Sequence, residues 1–261
     1  MGLFSAKPSA NAQKIIDWLG CAGFAGGTGG TGCECEYFPA GKPVQFIHST
    51  YEDAFAKKDM GGYTPIIVVV SDVLCEWLDM ILDEPGMTAE KRRTQLLNAK
   101  LPDAQEWFTE KLSEMKEMYG EYWDEITADS GNTGGKIDRL SGFVDFGTKK
   151  AAEVIIAKIP TDKPWEVFAW LPFGGWNECP EPEVMMAAGK YWFEKFGAVP
   201  AVISHDILEF AAQPVRDRSA AVGLALEQYA FCSDIIDQGF QELCICADVL
   251  TKSSVWYFWW D

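Results

Sequence analysis

Histidine is almost absent: the 261 residues include only His48 and His205. Any histidine chemistry must therefore run through one of two positions. Basic residues are also scarce, 22 against 39 acidic ones, for a formal net charge of −17. Nucleic acids and anionic membranes are held by basic footprints, so the chain is expected to bind neither. A basic protein partner would instead be attracted and steered by the same field, although such charge also serves solubility. Long apolar runs are missing. The best are Pro65 to Val70 and Val167 to Leu171, far short of the roughly 20 residues that span a bilayer. The opening Met1-Gly2-Leu3-Phe4-Ser5-Ala6 lacks a basic stretch followed by an apolar one, and Ala6 stands where myristoylation needs Ser or Thr. No Cys-x2-Cys spacing occurs, and eight cysteines scattered over this length do not make a disulfide framework. Reduced thiols in the cytoplasm are the expectation.

What is present describes a folded protein. Hydrophobic residues make up 48% and charged residues 23%, a globular balance. The length suits one large domain or two small ones. Eleven Trp and sixteen Phe supply either buried anchors or exposed contact surface.

Along the chain, Ala12 to Leu19 has helical spacing. Gly26-Gly27-Thr28-Gly29-Gly30-Thr31-Gly32 reads as loop. It lacks the Gly-Lys-Ser/Thr ending of a phosphate cradle, because Cys33-Glu34-Cys35-Glu36 follows. Ile66 to Val70 is an unbroken β-branched run that suits a strand buried on both faces. Ser71 or Asp72 can cap a helix through Leu82. From about Pro102 to Ile126, Phe108, Leu112, Met115, Tyr119, Tyr122 and Ile126 mark the inner stripe of one long helix. Glu106, Glu110, Glu114, Glu117 and Glu121 run along its opposite face, a solvated face or a docking stripe for a basic partner. Asp129 to Gly135 reads as loop or linker, and residues 148–159 fit helix or strand equally. Trp165 to Leu171 is expected as a strand, Glu183 to Phe196 as a helix stopped by Gly197, and Val199 to Ser204 as a strand, together a βαβ unit. Helices over about Asp217 to Phe231 and Gly239 to Leu250, then a strand from Val255 to Trp260, complete the chain.

The fold class expected is α/β, a mixed or mostly parallel sheet with flanking helices. It is divided into an N-terminal region, 1–130, with the Gly-rich loop, and a C-terminal domain, 150–261. A weak echo between Gly62-Tyr63-Thr64-Pro65 with its following Asp72 segment, and Gly197 to Glu209, makes two related halves an open alternative.

Chemistry concentrates in one place. If Trp165 to Leu171 and Val199 to Ser204 are parallel strands, their carboxyl-end loops share the usual ligand crevice of an open α/β sheet. Trp176, Asn177, Glu178, Cys179, Ser204, His205 and Asp206 would then line one cleft. Cys179 activated by His205, or Glu178 and His205 as acid and base, are the roles that set allows. A capping loop and a structural histidine are the alternatives, and no complete catalytic motif is present. The pairs Cys33/Cys35 and Cys244/Cys246 invite a zinc site. Helical spacing, however, turns Cys244 to the core and Cys246 away from it, so neither metal nor cofactor is expected.

The block from Trp165 to Pro180 resembles the opening of bacterial domain-of-unknown-function family 4253. Gly197 to Phe210, Phe231-Cys232-Ser233-Asp234, Gln238-Gly239 and the ending Trp256-Tyr257-Phe258-Trp259-Trp260-Asp261 resemble its later blocks in order. The resemblance brings no reaction, cofactor or catalytic residue with it. In style such proteins are similar to bacterial immunity proteins, which are small, acidic and partner-specific. The functional expectation is a non-catalytic acidic binding protein docking a basic partner. A small-molecule enzyme or binder using the cleft around Trp176 and His205 is the alternative.

Overall fold

The structure is a computed structural model, and it describes residues 7–21 and 33–261. The expected Gly/Thr loop, Gly26 to Gly32, lies outside the described residues. In chain order the elements are α1 (Ala10–Leu19), β1 (Glu34–Phe38), α2 (Val44–Gly61), β2 (Thr64–Val69), α3 (Asp72–Leu82) and α4 (Ala89–Asn98). Then come α5 (Ala104–Tyr119), α6 (Glu121–Thr127), β3 (Val154–Ile159), a 3₁₀ turn (Pro164–Glu166), α7 (Val167–Trp170) and α8 (Pro182–Phe196). The chain ends with β4 (Val199–Ile203), β5 (Ile207–Ala211), α9 (Arg218–Phe231), a π-helical turn (Ile235–Phe240), α10 (Leu243–Leu250) and β6 (Val255–Trp259). The class is mixed α/β, with strand pairing mostly antiparallel.

Local chemistry accounts for most of the ends. Ser9, Ser71, Thr88, Asp103 and Asp217 each accept a backbone N–H in the first turn of the helix they precede, satisfying a donor that would otherwise be orphaned. Pro182 opens α8, where a missing N–H costs nothing, and Gly197 closes it at φ +67°.

The chain divides into two compact units. The first comprises Met1–Ala99, Leu140–Phe173 and Pro200–His205. Its strands run β1-β3-β2-β4, antiparallel except for β2 beside β4, where Ile67 pairs with Val202. Every residue of β2 and β4 is buried, as the β-branched run predicts for a strand covered on both faces. A polar clasp sits at α1. Trp18 Nε1 donates to the Trp170 carbonyl at 2.8 Å, and Arg93 lies 3.5 Å from the Trp170 ring while its Nη2 donates to the Trp18 carbonyl.

The second unit comprises Lys100–Arg139, Gly174–Val199 and Asp206–Asp261. Its strands β5 and β6 pair antiparallel, Glu209 opposite Tyr257. Its core is aromatic: Trp192 stacks on Phe108 and Phe258 and meets Phe210, Phe231 and Trp256 edge to face.

Several expectations are corrected. Trp165 to Leu171 is a 3₁₀ turn followed by one turn of α-helix, not a strand. Val167 to Leu171 is buried throughout, so the apolar run carried no period by which to tell the two apart. Pro164 at the first helical position starts it as helix. The expected βαβ unit accordingly disappears, and the strand before α8 is β3, antiparallel to β2. The long helix breaks at Gly120, whose φ of 55° and ψ of −125° suit only glycine. The helix expected from Gly239 begins at Leu243, after the π-helical turn. Cys246 is buried like Cys244, because α10 is enclosed on nearly all sides.

Candidate functional site

The residues expected to share a cleft divide between the two units. Ser204 and His205 follow β4 in the first; Trp176 to Cys179 and Asp206 belong to the second. The loop that carries Trp176 to Cys179 follows a helical turn rather than a parallel strand, which removes the premise that made it a crevice wall.

Within the second unit this loop is a tight turn. Gly175 N donates to the carbonyls of Cys179 and Pro180 at 3.1 and 3.0 Å, and Cys179 N donates to Trp176 O at 2.9 Å. Gly174, at φ +100°, passes so close to Pro180 that a Cβ would stand 1.8 Å from its carbonyl oxygen. Asn177 is also left-handed, at φ 46°, and its Nδ2 donates to Asp261 O at 2.8 Å. Asp261 N in turn donates to Asp234. The loop is thus knotted to the end of the chain.

Its chemistry does not suit a nucleophile. Cys179 is buried, and burial, with Cys232 and Glu181 nearby, pushes its thiol far above the ordinary value. A thiolate would be needed for attack. Glu178 is exposed and pairs with Lys111 of α5 at 3.2 Å.

That pair bears on the glutamate stripe. Glu106, Glu110, Glu114, Glu117 and Glu121 are all exposed, and none is in an ion pair among the described residues. Of the two lysines of α5, Lys111 is occupied by Glu178, and Lys116, in the last turn, makes no ion pair among the described residues. Met118 and Tyr122 are exposed beside the carboxylates, at 71% and 51%. Periodicity found the charges but gave Met118 no role, and it assigned Tyr122 to the inner stripe, because the break at Gly120 resets the phase of α6.

Both members of the first cysteine pair meet Cys21: its Sγ lies 2.7 Å from Cys33 Sγ and it also hydrogen-bonds Cys35. Among the described residues no cluster of three or more His, Cys, Asp or Glu is arranged to hold a metal ion. No described helix is long and apolar enough to cross a membrane.

These features define a mixed α/β protein with a buried, neutral thiol loop and an exposed acidic helix face. Residues 155–261 match the family described as Domain of unknown function (DUF4253). No curated protein and no solved structure matches the chain.

Proposed function

We propose that the chain is a non-catalytic binding protein that docks a basic protein partner, in the manner of an immunity protein, through the face of α5 and α6. The observation that carries this reading is the stripe itself: five exposed carboxylates, none of them in an ion pair among the described residues. Like charges at i,i+4 cost a few tenths of a kcal/mol per pair, roughly, so the free chain gains nothing from Glu106, Glu110 and Glu114 in series. A partner supplying Lys and Arg would turn that repulsion into attraction and would be steered by the net charge of −17. Met118 and Tyr122 offer the apolar contact that charge alone lacks. The compartment assigned with this role is the cytoplasm, where the eight free cysteines stay reduced.

The test is capture from host lysate by the tagged chain at low and at moderate salt, with Glu110, Glu114 and Glu117 reversed to Lys in a parallel sample. Retention of a basic protein that washes off with salt, and its loss in the reversed chain, is the expected result. Equal capture by both chains would remove the stripe from the function.

A further inference from the structure

The second unit carries a partly open pocket of about 130 Å³ that shares no residue with the acidic stripe. The π-helical turn, α10 and β6 wall it, with Phe240, Cys246, Val249, Tyr257 and Trp259 contributing. Its polar lining includes Asp234, ahead of the π-helical turn, and Gln228 of α9. Gln228 is 3% exposed, and its carboxamide nitrogen is buried without a hydrogen-bond partner. A buried donor left unmade is costly and rarely tolerated in a native fold. Trp256 also borders the pocket, and its Nε1 is a second buried donor without a partner, on a ring packed against Trp192, Phe196 and Phe210.

The wall is held in place from several sides. The π-helical turn is pinned by Asp237, which accepts hydrogen bonds from Tyr119 of α5 and Tyr229 of α9 at 2.7 and 2.6 Å. Gln241, just past the turn, sits at φ 63°, a strained conformation for a residue other than glycine. Widened turns of this kind recur at functional sites. Ile137 closes another side, its carbonyl accepting from Ser254 N and Val255 N.

We infer that this cavity is a ligand site for a neutral, single-ring aromatic molecule that carries one hydrogen-bond acceptor. Size sets the single ring, since an apolar cavity of roughly 150 Å³ accommodates benzene. The rings of Phe240, Tyr257 and Trp259 favour an aromatic guest through edge and face contacts. Gln228 Nε2 supplies the donor that the acceptor answers. Charge is disfavoured: no Lys, Arg or His lines the space, and the Asp234 carboxylate on its wall repels anions. Burial also keeps the Cys246 thiol neutral. Water is a poor substitute, because each molecule needs two to four polar partners and the walls offer few.

Pyridine and benzene, nearly equal in shape and differing by one acceptor lone pair, test the site at pH 8 on the ¹⁵N-labelled 261-residue chain. The expected result is that pyridine binds about tenfold more tightly than benzene, the factor of one neutral hydrogen bond, and moves the Gln228 carboxamide signal. In Gln228→Met the preference falls to about onefold while benzene binding persists. Val249→Met leaves the amide in place but fills the space, and abolishes both; it serves also if Gln228→Met fails to fold. Equal binding of the two probes to the wild type, no movement of the carboxamide signal, or no binding of either, as for a cavity that holds only water, would overturn the assignment.

Discussion

Both units bury rings, but they line their strands with different side chains. The first buries a layer of branched aliphatics, Ile66, Ile67 and Val68 on β2 with Val154, Ile155 and Ile156 on β3. The second buries rings: Trp192, Phe210, Phe231, Trp256 and Phe258. Branched residues on adjacent strands interlock at the pitch of the pleat, which fills space evenly. Rings are large and rigid and contact one another in a few preferred orientations. They concentrate the packing energy in few residues and leave irregular space beside them, and the cavity at Gln228 belongs to this unit. The contrast teaches where each unit is vulnerable: in one, loss is spread over many methyl groups; in the other, it falls on a single central indole.

The largest expected effect tests that directly. Trp192→Ala removes a fully buried ring stacked between Phe108 and Phe258, and should cost about 3–5 kcal/mol. Ile67→Val, in the centre of β2, should cost about 0.5–1.5 kcal/mol. Urea denaturation of both chains decides it, and similar costs would break the comparison. The glycines sharpen it at a smaller scale. Gly174→Ala meets both a left-handed backbone and the Pro180 carbonyl oxygen, for a loss of about 2–3 kcal/mol. Gly62→Ala in the first unit meets the left-handed strain alone, with nothing within 4 Å, and should lose about 1 kcal/mol.

The smallest effect concerns the polar strap of the second unit. Ser130 and Asn132 donate to Glu242, and Gly134 N donates to Asp248 at 2.9 Å. Those bonds, with Lys252 foremost at Asp248, hold both carboxyls below their ordinary values. A depressed folded value means stability that is present above the unfolded value, about 4, and lost as pH falls through the folded one. The Gly134 amide should therefore lose protection, relative to its intrinsic exchange rate at the same pH, below about pH 4 and before the buried sheet amides do. Hydrogen exchange read by NMR checks this, and simultaneous opening of strap and sheet would contradict it.

Much of this fold is legible in the residues. Ser71 ahead of Leu74 and Leu78, and Gly197 behind Phe193, announce helix ends because capping is a local matter of one side chain and one turn. Strand β2 is legible since an unbroken β-branched run suits little else. Strand β1, Glu34-Cys35-Glu36-Tyr37-Phe38, was not, because only Phe38 of it is buried and it exists through its pairing with β3. Val167 to Trp170 misled because full burial erases period. For the site, the carboxylate stripe could be read from spacing alone, whereas Gln228 gives no signal: it stands beside Glu227 as one polar residue among several in α9.

Charge, capping and the helical glutamate face were determined by the sequence alone, since each depends on residue type and on neighbours within a turn. Tertiary structure alone decided the state of the Cys179 thiol, the engagement of Lys111 by Glu178, and the buried amide beside the cavity. Burial and partnership arise between residues distant in the chain, here 67 positions apart for the ion pair, and no local pattern encodes them.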